Sequence, residues 1–411
     1  MNTNHFNIAI IGGGMVGASL ALLLAQKNPE WKIALLEAQV FVDSDSSQPQ
    51  LYQSSFDSRS TAIAQGGVEI FESLGIWQSL AEQATAIKTI HVSDAGHLMG
   101  GLIQADDYAV DAVGYVIPNQ WIGRVLLSEI KKISQITFLS STSVEKITPK
   151  FAGARLQIKT LKNVKVEKLT EINTELVVMA DGSQSKLATQ LGIDFSVENY
   201  QQTAIIANVA FSQAHQNVAY ERFTDLGPIA LLPLGKKSTA QESALVLTLP
   251  KEQATEMADT SDELFLAHLQ KRFGNRLGKF TRVGERKTFP LQLVTAKEQI
   301  RSHLVLIGNA AHFLHPVAGQ GFNLSLRDCV CLSNQLAKST KPLGDMSTLQ
   351  AYLTQQRRDQ NTTILFSDQL VKLFSNSRLS QIALRHLGFL GLESIPAVKK
   401  LLVDQTMGRA L

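Results

Sequence analysis

The chain opens on a short apolar run, Phe6 to Ile11, of the length and character of a buried strand. Gly12 to Gly17 follows as a turn, and Ala18 to Gln26, rich in Ala and Leu, reads as a helix. Lys32 to Glu37 is a second strand that ends in an acid, which completes a βαβ opening. Ile8 to Ala25 carries no charge, so by length alone it is a borderline membrane span. Its glycines lie at the front, no Lys or Arg precedes it, and a strand follows at once. These features favour a buried strand, turn and helix over a span or a secretory signal.

Further on, Val42 to Ser55 is polar, Ser-rich and aperiodic, and is expected to be a mobile loop. The spacing of Phe71, Leu74, Leu80 and Ala81 predicts one helix. Ile122, Leu126, Ile130 and Ile133 predict another, with Asn119 as its N-cap. From Val144 to Met179 the pattern turns to short strands: Leu156 and Ile158 alternate with polar neighbours, and Leu176 to Met179 reads as buried. Ala204–Phe211, Ala219–Phe223, Ile229–Leu232 and Ala244–Leu249 predict an antiparallel sheet, with Asp225 and Gly227-Pro228 in a turn. The βα pattern then returns, with His303 to Ile307 as strand, Gly319 to Gly321 as turn and Phe322 to Lys338 as helix. Beyond Met346 the chain reads as wholly helical. No internal repeat is visible.

Composition narrows the class. A chain of 411 residues, 44% hydrophobic, supplies two or three compact units with large cores and excludes a disordered, collagen-like or coiled-coil protein. A net charge of +3 lacks the dense basic face of a general nucleic-acid binder. The charge is uneven: between Lys372 and Leu411, Lys and Arg outnumber Asp and Glu, and the rest of the chain is close to neutral. Cys329 and Cys331 are too few and too close for a disulfide framework, and they have no metal-ligand spacing. A reducing, cytoplasmic compartment fits them.

Three motifs carry chemistry. The first is Gly12-x-Gly14-x-x-Gly17, with Glu37 at the end of the next strand. Gly12 permits the tight turn, Gly14 lets backbone approach a pyrophosphate, and Gly17 lets the helix lie close to the sheet. Glu37 can accept both hydroxyls of a ribose. A bare GxGxxG is weak in a chain with 27 glycines, but strand, helix, second strand and acid together define a dinucleotide site. The spacing alone does not separate FAD from NAD. The second motif is Ala180-Asp181-Gly182-Ser183, equally readable as an Asx turn. The third runs from Gly308 through Asn309, His312, His315 and Pro316 to Gly319, Gly321, Phe322 and Asn323. It places Asn309 at a strand tip, glycines where backbone can approach a flat ring, and a helix start aimed at that ring. His312 and His315 have no carboxylate or thiol at ligand spacing, so they read as structural rather than as a metal site. Arg59, just after the Ser-rich loop, is a candidate phosphate or flavin contact. Together these predict an α/β protein: a Rossmann-like dinucleotide-binding domain with an inserted antiparallel-sheet domain and a helical C-terminal tail. The expected boundaries are 1–85, 111–198 and 291–345 for the first, 86–110 and 199–290 for the second, and 346–411 for the tail.

In this order and spacing the three motifs resemble those of the flavin-dependent aromatic hydroxylases, over essentially the whole chain. Within that group the chain is similar to the hydroxylases of ubiquinone biosynthesis. Ile76 to Ala81, His91 to His97, and Glu221-Arg222-Phe223-Thr224 through Gly227-Pro228 to Pro233 carry that narrower likeness. The resemblance implies FAD as cofactor, with Asp181, Asn309 and the Pro316–Asn323 loop around it and Pro316, Gly319 and Gly321 beside the flavin ring. Two positions differ from the family: Asn309 stands where Asp is usual, and Gln120 where Arg is usual. Arg124, one turn on, is expected to replace the phosphate contact at Gln120.

The implied reaction is hydroxylation of a 2-polyprenyl-6-methoxyphenol-type ring by way of O₂ and a flavin C4a-hydroperoxide, with no side-chain base assigned. NAD(P)H or another donor would supply electrons, without a second nucleotide fingerprint. Rival readings are a flavin dehydrogenase and a flavin-poor scaffold subunit of a quinone-biosynthesis complex. Accessory subunits, a homo-oligomer, or a membrane surface are compatible partners; nucleic acid is not. The tail combines Ile382, Phe389, Leu390, Leu392, Ile395, Val398, Leu401 and Leu402 with Arg378, Arg385, Lys399 and Lys400. That mixture suits docking on the inner membrane surface or on an accessory subunit.

Overall fold

The computed structural model describes residues 4–39, 59–95, 100–162 and 166–374, together with Val403, Met407 and Gly408. The expected loop at Val42–Ser55 and the tail residues from Arg378 to Leu402 lie outside the described residues.

An eight-stranded sheet forms the base. Its centre is β1 (His5–Ile11), parallel to β2 (Ile33–Leu36) on one side and to β11 (Val166–Met179) on the other. β8 (Ile136–Leu139) extends it beyond β2, and β19 (Leu304–Leu306) with β18 (Ile300–Arg301) beyond β11. β9 (Thr142–Lys150) and β10 (Gly153–Lys162) pair antiparallel and fold back on β11. The first helix, α1 (Met15–Lys27), is buried from Gly17 to Ala25. It lies on the sheet and also packs against α4 (Asn119–Lys132) and α8 (Gln320–Lys338), which explains why it is apolar all round. The uncharged stretch from Ile8 to Ala25 is therefore core, and no helix among the described residues is long and apolar enough to cross a membrane.

A nine-stranded sheet faces this base. It contains β5 (Thr89–Asp94), β6 (Gly100–Gln104), β12 (Phe195–Phe211), β13 (Val218–Phe223) and β14 (Ile229–Leu234). β15 (Glu242–Pro250), β16 (Phe280–Val283), β17 (Lys287–Ala296) and β20 (His312–Phe313) complete it. Its pairs are antiparallel except β13 with β5, which is parallel. α6 (Lys251–Asp259) and α7 (Asp262–Phe273) cover one face, where Leu231, Leu245, Leu247, Phe265 and Phe273 form a core. A small sheet of β3 (Ser60–Ala64), β4 (Thr85–Ile87) and β7 (Gly114–Pro118) bridges the two large ones. α9 (Met346–Phe374) packs on α8.

Three details differ from the pattern-based reading. The helix expected over Phe71–Ala81 is two, α2 (Gln65–Ser73) and α3 (Trp77–Ala81), because Gly75 turns left-handed at φ +73°. Asn119 is the first residue of α4 rather than its cap; Pro118 holds the cap position. The strands from Val144 to Met179 are long, since the β9–β10–β11 meander rises well past the sheet it starts from. At the end of the chain, Val403 and Met407 are buried with Ile87, Ile103 and Val116. The Met407 carbonyl accepts the Gly66 N–H at 2.8 Å, so this part of the tail is fixed on its own chain.

Candidate functional site

The β1–α1 turn is dictated by close approach. Gly12 has φ +104°, and a Cβ there would lie 2.4 Å from the Ala180 carbonyl oxygen. A Cβ on Gly17 would lie 1.9 Å from the Gly12 carbonyl oxygen. Gly14 holds the N-cap of α1 with no side-chain cap bond, so the helix start is left to backbone and macrodipole. Glu37 is buried beside it. One carboxylate oxygen accepts the Gly13 N–H at 2.9 Å and the other the Gln39 N–H at 2.8 Å. Burial raises its carboxyl above the ordinary range, against those two bonds. Each oxygen keeps a lone pair for a ligand hydroxyl.

A cavity of about 950 Å³ runs from this turn to the antiparallel sheet. It brings together Gly12, Gly14, Glu37, Arg59, Asp181 and Asn309 with Pro316, Gly319, Gly321 and Phe322. Asp181 lines the cavity, and burial raises its carboxyl above the ordinary range. The Ser185 hydroxyl, at the N-cap of the short helix α5 (Lys186–Gln190), donates to it at 2.5 Å. Arg59 stacks its guanidinium 4.7 Å from the centre of the Phe289 ring. Asn309 is exposed to the cavity on a short 3₁₀ turn, Gly308–Ala310. Gly319 is left-handed at φ +61° and caps α8 without a side chain, and a Cβ on Gly321 would meet open space. A second helix start thus opens on the cavity.

Other candidates sit elsewhere. Gly17 lies beneath the turn and does not line the cavity. Gln120 and Arg124 are exposed on α4 and do not line it either; Arg124 rests over Trp121. Asn323 is buried and acts as a staple. Its Oδ1 accepts the Ala64 N–H at 2.9 Å, and its Nδ2 donates to the Ala62 and Gly319 carbonyls at 3.0 and 2.9 Å. It ties the glycine loop to β3. His312 pairs through Nε2 with the buried Asp328 carboxylate at 2.5 Å. Burial lowers His315 to about 3, so it is neutral, and its Nδ1 accepts the Val317 N–H at 3.1 Å. The edge-on ring of Tyr200 lies 5.5 Å from it.

Sequence reasoning missed the far wall: Ile206, Asn208, Leu232, Ala244 and Val246 line the cavity from β12, β14 and β15. Strand alternation marks which positions share a face, but only the register shows that these alternate sets meet. It also missed Asn119, which lines the cavity and accepts the Thr61 hydroxyl at 2.6 Å.

The arrangement fits FAD on its own geometry. Two glycine-led helix starts for the pyrophosphate and ring, a buried acid for the ribose, and an open cavity between them match a long dinucleotide. The fold and site thus define a dinucleotide-binding oxidoreductase. The FAD binding domain family matches residues 5–366. Ubiquinone hydroxylase UbiL of Rhodospirillum rubrum is 30% identical over 98% of this chain and 89% of its own length. The mitochondrial ubiquinone biosynthesis monooxygenase COQ6 of Homo sapiens is 27% identical over 96% of this chain and 91% of its own. The crystal structure of p-nitrophenol 4-monooxygenase PnpA from Pseudomonas putida superposes with a TM-score of 0.78 at 16% identity, covering 99% of both chains, which shows the shared fold. The chain belongs to the FAD binding domain family and is an FAD-dependent monooxygenase.

Proposed function

We propose that this enzyme hydroxylates the ring of a 2-polyprenyl-6-methoxyphenol-type intermediate in ubiquinone biosynthesis. The observation that carries the reading is the single cavity joining the dinucleotide turn to an apolar sheet face. Bound FAD supplies the activation of O₂ and the transfer of one oxygen atom to the ring, with NAD(P)H or another donor reducing it. Gly12 and Gly14 offer backbone to the pyrophosphate, and Glu37 accepts the ribose hydroxyls. Asn309 and Asp181 hold the middle of the cofactor. Pro316, Gly319 and Gly321 set the plane of the ring, and the N-terminus of α8 favours negative charge on it. Ile206, Leu232 and Val246 keep water off the reacting ring.

The names of the relatives support the ubiquinone pathway, and the apolar wall suits a prenylated aromatic ring better than a small polar acid. A long prenyl chain resides in a bilayer, so the enzyme meets it at the inner membrane surface or on an accessory subunit, as a monomer or a homo-oligomer. The deciding experiment incubates the FAD-loaded enzyme with a short-chain 2-prenyl-6-methoxyphenol, a reductant and ¹⁸O₂. One ¹⁸O in the ring of the product is the expected result. Oxygen consumption without a labelled ring would overturn the reading.

A further inference from the structure

Glu221 is the acid of the Glu221-Arg222-Phe223-Thr224 stretch. It lies in the middle of β13. Strand alternation places Glu221 on the same face as Ala219 and Phe223, and opposite to Tyr220 and Arg222. Tyr220 packs against Phe273 of α7, and Arg222 donates to the Arg272 carbonyl at 3.1 Å, so their face is the helix-covered one. Glu221 therefore points to the cavity side, and its sequence neighbour Arg222 cannot neutralise it.

Glu221 pairs with Ala230, Ala230 with Val246, and Val246 with Ile206. Val246 and Ile206 line the cavity, which puts Glu221 in the same cross-strand row, about 10 Å from Val246. Phe223, two residues along on the same face, packs with Val317 of the ring loop. Glu221 is half-buried, on the sheet face that carries Phe223. Among the described residues no hydrogen bond or ion pair engages its carboxylate. Desolvation raises it to about 7. The charged and titratable groups on this side are few. Asp94 is the register partner of Phe223 on β5. His315, neutral, adjoins the loop, and Asp368 of α9 accepts the Tyr200 hydroxyl. β14 contributes none.

We propose that Glu221 is a catalytic residue that accepts the ring hydroxyl of the phenolic substrate and takes its proton as the ring is hydroxylated. The inference rests on the phenol reading above. A free phenol ionises near 10, and its ring is a strong nucleophile only as that proton leaves. In this step the phenol O–H bond breaks and its electron pair stays on oxygen. The pair is pushed into the ring as the ring carbon forms its new C–O bond to one oxygen of the O₂ that reduced FAD activates; the O–O bond breaks, and the second oxygen leaves as water, carrying the two electrons supplied by the donor. The carbon then sheds its own hydrogen to water, and Glu221 returns the proton to the first oxygen.

The test uses FAD-loaded wild type, Glu221→Gln and Glu221→Asp with short-chain 2-prenyl-6-methoxyphenol and its methyl ether. All three proteins should hold FAD alike. Glu221→Gln should lose roughly a hundredfold or more in turnover. The wild-type kcat/KM should fall below about pH 7, and that limb should vanish in Glu221→Gln and persist in Glu221→Asp. In an equilibrium titration without reductant, wild type should favour the phenol over the methyl ether, and Glu221→Leu should not. A Glu221→Gln enzyme with wild-type rate and pH limb overturns the proposal and leaves the phenol reading standing. Wild type that hydroxylates no prenylated phenol overturns both.

Discussion

The β1–α1 turn and the cavity face of the antiparallel sheet border the same cavity, but they work through different atoms. At the turn the groups that would meet FAD are backbone, and the turn is shaped by residues with no side chain: Gly12, Gly14 and Gly17 lie within six consecutive positions. On the sheet the groups are side chains, and Ile206, Leu232 and Val246 come from three strands spread along the sequence. At Gly12 and Gly17 the first region tolerates almost no change, because backbone fills the space a Cβ would take. The second is a surface whose shape is tuned one side chain at a time. Under the proposed function, the pair predicts that cofactor binding and substrate choice can be altered separately.

The largest effect is expected at the turn. Gly14→Val sets a branched side chain in the pyrophosphate path, and purified protein should keep its circular dichroism while losing its flavin absorbance. A folded variant with full flavin content would remove the turn from the site.

Glu37→Ala should weaken FAD by about 1.5–3 kcal/mol, the scale of hydrogen bonds to a charged group, as read by fluorescence titration. Its pH dependence has a definite sign. Burial raises the Glu37 carboxyl in the free protein, and ribose hydroxyls favour the ionised form. FAD affinity should therefore fall as pH drops through that raised value, and Glu37→Ala should show no such fall.

The sheet should answer differently. Val246→Ala trims the wall and should cost about 1 kcal/mol of prenylphenol binding, seen as a several-fold rise in KM. Its FAD affinity should stay at the wild-type value; a parallel loss of flavin would mean that the two regions are one unit.

The smallest effect is expected at the seam between sheet and tail helix. Tyr200→Phe removes the hydroxyl that donates to Asp368 at 3.0 Å. Burial and that carboxylate push the phenol above its ordinary range, so it is a donor throughout the accessible pH range. Asp368 keeps Lys372 as a donor at 2.8 Å, so losing the bond should lower stability by under about 1 kcal/mol in a denaturant melt, with FAD retained.

The chain itself determined the βαβ opening, its three glycines and its terminal acid, since these depend on contacts between residues close in sequence and on backbone angles that glycine alone adopts easily. It also determined the Gly308–Asn323 run, for the same local reason. Tertiary structure decided the rest. Asn323 looked like a cofactor ligand and proved to be a staple, because its partners Ala62 and Ala64 arrive from a distant strand. Gln120 and Arg124 looked like phosphate contacts and lie on the outer side of α4, a matter of helix rotation set by packing against α1. The sheet wall of the cavity and Glu221 were legible only as strand alternation. Which alternate face meets the cavity depends on the register of β13, β14, β15 and β12, and register is fixed by pairing across long stretches of chain rather than by any spacing along it.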